Sequence, residues 1–116
     1  GSDKGSTHHN YTDFYHYTAI LTQSTNKHSL LKGSVMIELL VQGPHGIDRI
    51  AFSDLPGVTD SMPARLRFRF FQRIQGQFKL PQELQPVSIV LNAETSSKKP
   101  QKVSRSFQWQ ALLGAN

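Results

Sequence analysis

Alternating polar and apolar residues dominate the chain between residues 64 and 81, which reads ARLRFRFFQRIQGQFKLP. Successive side chains of an extended chain point to opposite faces, so this period of two predicts a long amphipathic strand or hairpin. Its apolar face contains Leu66, Phe68, Phe70, Ile74, Gly76, Phe78 and Leu80. Phe71 and Gln72 reverse the expected roles, which predicts a bulge or bend near Phe71 where the segment turns a corner between two sheets or enters a tight hairpin.

Shorter alternating segments predict the remaining strands, and no segment has the spacing of a long amphipathic helix. The predicted strands cover residues 14–22, 33–41, 48–52, 87–93 and 103–111. Residues 24–29 and 43–46 are breaks or turns, and residues 53–63 predict an irregular loop with room for one helical turn. The chain is therefore predicted to be all-β, an antiparallel β-sandwich of about seven strands. A small β-barrel is the alternative, because alternation does not distinguish two packed sheets from one closed sheet.

Two residues of the apolar register have predicted structural roles. Trp109 shares its parity with Phe107 in the last strand, and we expect this aromatic pair to anchor the core. Gly76 lies in register between Ile74 and Phe78, where a missing side chain predicts a bulge, a bend or a close approach of another group to the backbone.

Length and composition indicate one domain, because 116 residues with 37% hydrophobic residues form one modest core. We expect residues 1–10 to be a disordered tail or the remnant of an expression tag, residues 11–113 to form the domain and residues 114–116 to be a C-terminal tail. The Gly1-Ser2 start and the missing initiator Met indicate a piece cut from a longer protein.

Basic residues outnumber acidic residues by thirteen to eight, and the net charge of +5 favours acidic partners in general. The candidate interaction residues form the polar face of the long strand: Arg65, Arg67, Arg69, Phe71, Arg73 and Lys79. Side chains on one strand face repeat about every 7 Å, a spacing that suits a partner with repeating acidic or phosphate groups. A merely solvated strand face is the simpler interpretation.

Motifs for catalysis, cofactors and metals are missing from the sequence, so we expect no enzyme and no bound cofactor or metal. No serine has a G-x-S-x-G setting, no pair of carboxylates stands out, and cysteine is absent. The histidines lack the spacing of metal ligands: His8, His9, His16, His28 and His45. Nucleic acid is disfavoured as a partner, because most aromatic residues of the long strand have the opposite parity to its arginines.

Several short motifs are shared with a known protein family. They are Leu21-Thr22-Gln23, Gly33, Val41-Gln42-Gly43, the run from Arg67 to Gly76, Leu80-Pro81, Pro86-Val87 and Phe107-Gln108-Trp109. In these motifs residues 14–111 resemble the C-terminal domain of an uncharacterised family of proteobacterial envelope proteins. The pattern F-R-F-F-Q-x-I-x-G followed by L-P is the most specific of them.

The resemblance implies a single-pass inner-membrane protein, often encoded near bactofilin cytoskeletal proteins. Such a protein has a short cytoplasmic start, one transmembrane helix, a coiled coil and this β domain in the periplasm. The resemblance implies an envelope protein partner, attachment to the membrane through an N-terminal anchor and a homo-oligomer formed by the coiled coil. No catalytic residue comes with it.

Two functions are expected from the residues and the resemblance together. The first is a non-enzymatic protein-interaction or scaffold domain, linked to cell shape or envelope assembly, that docks through a strand edge or the arginine face. The alternative is a binding module for an anionic envelope polymer or headgroup, recognised by Arg65, Arg67 and Arg69.

Overall fold

Seven strands form two antiparallel sheets in the computed structural model, which describes residues 10–23 and 29–109. The strands are β1 (Tyr15–Thr22), β2 (Leu31–Gly43), β3 (Gly46–Ala51), β4 (Ala64–Phe68), β5 (Phe71–Phe78), β6 (Gln85–Thr95) and β7 (Lys102–Gln108). A 3-10 turn, Phe52–Asp54, begins the loop between β3 and β4. Strands β1 and β5 form the smaller sheet and the other five form the larger one. Within the described ranges the strands do not close into a barrel, which confirms the predicted antiparallel β-sandwich.

Strand β2 is the centre of the larger sheet, because both of its edges are paired. β6 pairs with one edge along Gly33–Gln42. The other edge is divided between β4, opposite Leu31–Val35, and β3, opposite Glu38–Gly43. Alternate apolar residues of β2 face inwards and are almost completely buried: Val35, Ile37, Leu39 and Val41. The predicted apolar face of this strand is therefore confirmed.

The long amphipathic segment forms two strands that belong to different sheets. β4 pairs with β2 as far as Phe68, the chain bends at Arg69 and Phe70, and β5 then pairs with β1. The predicted corner near Phe71 is thus present. The bend also takes Phe70 out of the apolar register, so the prediction that Phe70 faces the core is wrong, and its side chain is 62% exposed.

The side chain of Gln72 forms two hydrogen bonds across this corner. Its Oε1 accepts a hydrogen bond from the backbone N–H of Arg67 at 2.7 Å, and its Nε2 donates to the carbonyl of Arg65 at 3.0 Å. These two backbone groups lie on the edge of β4 away from β2. A polar residue interrupts the apolar register here because an amide side chain satisfies backbone groups that no neighbouring strand reaches.

Aromatic rings fill the space between the two sheets. Phe52 and Phe78 are fully buried and meet edge to face at 5.3 Å, and Tyr17 meets Phe52 at 5.1 Å. Trp109 packs edge-on against Tyr15 at 5.6 Å and against Phe78 at 5.5 Å. The predicted role of Trp109 as a core anchor is therefore confirmed.

Gly76 permits one of these rings to lie across β5. It is directly opposite Tyr17 in the pairing of β1 with β5. A Cβ atom on Gly76 would lie 2.7 Å from Cε1 and 2.8 Å from the hydroxyl oxygen of Tyr17, closer than van der Waals contact allows. Of the three predicted reasons for this glycine, the structure shows the close approach.

Some predictions concern residues outside the described ranges. They are the tail at residues 1–9, most of the polar break at residues 24–28, the histidines His8, His9 and His28, and residues 110–116, which contain the end of the last predicted strand.

The contact between Gly76 and Tyr17 is testable by a double-mutant cycle. We expect Gly76→Ala to lower the free energy of unfolding by about 2 kcal/mol, because the added methyl group overpacks the ring. In a Tyr17→Leu background, which lacks the colliding atoms, the same substitution should cost clearly less. Urea denaturation of the four proteins measures both values, and equal costs in the two backgrounds would contradict the close-approach explanation.

Candidate interaction groove

The predicted basic face is divided between two surfaces. Arg65 and Arg67 lie exposed on the outer face of the larger sheet, opposite buried neighbours on the inner face. Phe71 and Arg73 lie exposed on the outer face of the smaller sheet. The change of sheet at Arg69 separates the two pairs, so the candidate residues do not form one continuous row.

Lys79, the last candidate residue, is engaged in contacts within the domain. Its ammonium group lies 4.6 Å from the centre of the Phe14 ring, a cation–π geometry. Its backbone N–H donates to the carbonyl of Pro56 at 2.7 Å. Lys79 therefore ties the end of β5 to two neighbouring segments.

The pairing register of β2 with β4 places a further basic residue beside Arg65 and Arg67 on the outer face of the larger sheet. Lys32 of β2 is directly opposite Arg67 of β4, and Arg65 is opposite Ser34. Sequence reasoning missed Lys32, because only the pairing register shows which residues of distant strands are neighbours.

Arg65 and Arg73 both line one open hollow of about 610 Å³, which Asp60 and Tyr17 also line. Tyr17 is a buried residue of β1. Its pKa is raised to about 12 by burial and, to a smaller extent, by the Asp60 carboxylate. At ordinary pH the hydroxyl of Tyr17 therefore keeps its proton.

A larger recess lies between β1 and β7, and we call it the groove. It has a volume of about 830 Å³, within the range of sites that hold a drug-sized ligand. Apolar side chains from three strands contribute to its lining: Ala19, Leu21, Ile89, Leu91, Val103 and Phe107. Arg105 and Trp109 also line it.

The groove exists because the smaller sheet leaves the inner face of β7 uncovered. Val103 is opposite Ala93 and Phe107 is opposite Ile89 in the pairing of β7 with β6, so all four share the face that points towards the smaller sheet. Nevertheless Val103 is 44% exposed and Phe107 is 53% exposed. The prediction that Phe107 belongs to the core with Trp109 is therefore wrong.

Both strands that border the groove have an edge with which no described strand pairs. Among the described strands, β1 pairs only with β5 and β7 pairs only with β6. The N–H of Trp109 donates to the carbonyl of Val87 at 2.8 Å, and the N–H of Thr95 donates to the carbonyl of Gln101 at 2.9 Å. Because antiparallel bonds alternate along a strand, odd-numbered residues of β7 bond to β6 and the backbone groups of even-numbered residues point to the open edge.

Sequence reasoning missed the groove, although one signal was present. Val103, Arg105 and Phe107 occupy the apolar parity of β7, and a charged residue between two apolar ones does not suit a covered core face. An arginine in the inward register is the feature that indicates an open face.

No helix in residues 10–23 and 29–109 is long and apolar enough to cross a membrane. In the same ranges no group of three or more His, Cys, Asp or Glu side chains is placed to hold a metal ion.

Fold and groove together define an antiparallel β-sandwich domain with an open, mainly apolar edge groove. The chain belongs to DUF6776, a family of unknown function, whose profile matches residues 7–91. The matched segment ends within β6, so β7 lies beyond it. No curated protein and no solved structure gave a significant match to the chain.

The raised pKa of Tyr17 makes stability depend on alkaline pH. Unfolded chains lose this proton near pH 10, whereas the folded domain keeps it to about pH 12, so the contribution is complete below pH 10 and is lost as pH rises from 10 to 12. We expect Tyr17→Phe to reduce the fall in the free energy of unfolding over that range. Urea denaturation at several pH values measures it, and identical slopes for both proteins would contradict the assignment.

Proposed function

We propose that this β-sandwich is a non-enzymatic protein-interaction or scaffold domain of a membrane-anchored bacterial envelope protein, and that its partner binds in the groove. The observation that carries the proposal is the uncovered inner face of β7, with Val103 and Phe107 exposed beside the unpaired edges of β1 and β7. Addition of a strand to an open sheet edge is a common mode of peptide recognition, in which backbone bonds give affinity and side-chain pockets give specificity.

Exposure of Phe107 is the main physical reason for expecting a partner. Burial of a side chain of this kind stabilises a complex by roughly 1.5–3 kcal/mol, and aromatic residues are enriched at the centres of interfaces. The rest of β7 is polar or charged, KVSRSFQ, so the exposed apolar groups are concentrated on the side that borders the groove.

The proposed envelope setting is supported by the resemblance of the segment from Arg67 to Gly76 to the periplasmic domains described above. In that setting an anchor and a coiled coil would precede the domain, and its groove would be presented in the periplasm. A homo-oligomer formed by the coiled coil would present several grooves together, which raises the avidity for a partner with repeated sites.

Site-specific photo-crosslinking tests the location of the partner site. We expect a photoreactive amino acid at Phe107 to form adducts with a protein in living cells, because a bound partner would contact this side chain. Ile47 on β3 is the matched control, since it is also apolar and is 56% exposed, and it should give no adduct with the same protein. Mass spectrometry identifies the adducts, and equal labelling from both positions, or none from position 107, would count against the proposal.

The second candidate is a binding module for an anionic envelope polymer or lipid headgroup. One observation favours it: Lys32 is directly opposite Arg67, with Arg65 two residues away on the same face. Like charges in opposite positions destabilise a sheet unless an anion lies between them. None of these three residues forms a salt bridge with a described carboxylate.

Sedimentation with vesicles tests this candidate. The domain should bind phosphatidylglycerol vesicles and not phosphatidylcholine vesicles, and binding should weaken sharply when NaCl rises from about 0.05 M to about 0.5 M, because salt screens exposed charges. Lys32→Glu combined with Arg67→Glu should abolish binding. Lys98 and Lys99 are exposed in the hairpin loop between β6 and β7. Lys98→Glu combined with Lys99→Glu changes the net charge equally and should preserve binding; equal losses would indicate nonspecific attraction.

A further inference from the structure

We propose that the groove binds an extended segment of a partner protein that adds to the free edge of β7 and carries the side-chain pattern apolar–x–acidic–x–apolar. The inference rests on the proposed interaction function and names the chemistry of the segment that the groove recognises. The pattern follows from three properties of β7: its alternating side chains, the lack of a described acidic partner for Arg105 and the direction of its backbone groups.

Side chains of β7 present an apolar–basic–apolar series to the groove. Val103, Arg105 and Phe107 share the inner face, as their partners in β6 show. In an antiparallel pair each residue has one direct neighbour on the added strand, at a Cβ separation of about 5 Å. A strand that pairs with β7 therefore matches this series best with two apolar residues that flank an acidic one.

Arg105 has no acidic partner in the described part of the chain. Its Nη1 donates to the carbonyl of the preceding residue, Ser104, at 3.1 Å, and it forms no salt bridge with a described carboxylate. Arg105 is exposed in the free domain. Once a bound segment covers it among apolar groups, this arginine binds a carboxylate more strongly than a fully solvated arginine does, because the local dielectric constant is lower and the bond is frequently bidentate. Glu94 also lines the groove but forms no salt bridge with Arg105. A partner would supply the acidic group that pairs with this arginine.

Backbone groups at the open edge of β7 would pair with the same segment. The bonds of Trp109 and Thr95 place the N–H and C=O groups of Ser104 and Ser106 at that edge. The Ser104 carbonyl is the acceptor that Arg105 occupies in the free domain. A partner carboxylate that draws the guanidinium away would also free this carbonyl for an incoming N–H, so side-chain recognition and strand addition support each other.

A second copy of the chain fits this edge less well than an acidic partner. In a symmetric antiparallel pair of β7 strands centred on Arg105, the two guanidinium groups would be direct neighbours, and like charges in that position are destabilising. The domain also carries a net charge of +5, which opposes self-association and favours an acidic segment.

Fluorescence titration with short peptides tests the pattern. Trp109 is the only tryptophan in the chain and lines the groove, so its emission reports binding directly. The probe is the capped peptide Thr-Val-Thr-Glu-Thr-Val-Thr, and the controls replace its Glu with Lys or keep its composition in scrambled order. We expect the Glu peptide to bind at least about tenfold more tightly than either control, a difference of about 1.4 kcal/mol.

Three variants separate the parts of the proposal. Arg105→Glu should reverse the preference in favour of the Lys peptide, whereas Lys98→Glu, with the same change of charge in the hairpin loop, should keep the wild-type preference. Ser106→Pro removes a backbone N–H that lies at the open edge and does not bond to β6. This substitution should weaken binding of the Glu peptide at least about tenfold. Circular dichroism verifies that each variant is folded.

Each failure has a distinct meaning. Equal binding of the Glu and Lys peptides, or no reversal in Arg105→Glu, would overturn the acidic pattern. Unchanged binding by Ser106→Pro would overturn strand addition. A concentration-dependent dimer in sedimentation velocity that Ser106→Pro abolishes would assign the edge to a second copy. If the peptides fail while crosslinks from position 107 succeed, the pattern is wrong and the interaction function stands; if both fail, both are wrong.

Discussion

Backbone pairing on both edges of β2 organises the larger sheet, because a strand buried at the centre must satisfy its N–H and C=O groups on both sides. β6 satisfies one edge, and β4 and β3 divide the other. β4 runs antiparallel to β2 and reaches Leu31, the first residue of β2, at Phe68. The chain therefore leaves the larger sheet at Arg69 and forms β5 in the other layer. The corner, the second layer and the amide contacts of Gln72 all follow from the point at which β4 reaches the start of β2.

Unequal layers explain why an apolar face remains open. The larger sheet presents β4 and β3, β2, β6 and β7 in succession, whereas in the described part of the chain the smaller sheet consists of β1 and β5. Two strands cover the centre, where Phe52 and Phe78 are fully buried, but they do not reach over β7. The groove is therefore a geometric result of sheet widths, and Trp109 closes the core at one of its ends by packing on Tyr15 and Phe78.

Much of the fold could be predicted from alternation alone, because most of the strands bury one face. The inward residues of β2 and the corner near Phe71 are examples. Alternation shows which side chains share a face, but it does not show whether another layer covers that face. Phe107 was misplaced for this reason, and Phe70 because the bend changes its register. Lys32 became a neighbour of Arg67 only through the register of distant strands.

The position of its two walls in the chain determines when the groove forms during protein synthesis. Its two walls, β1 and β7, are the first and the last of the described strands, so the groove is not complete until the whole domain has left the ribosome. Chains emerge and fold from the N-terminus. β1 must wait for β5 before it can pair, because its partners lie between 49 positions (Thr22 to Phe71) and 63 positions (Tyr15 to Phe78) later in the chain. In a nascent chain the groove is therefore completed last, together with β7 and Trp109. Under the proposed function, a partner would be captured only after the whole sandwich has been synthesised.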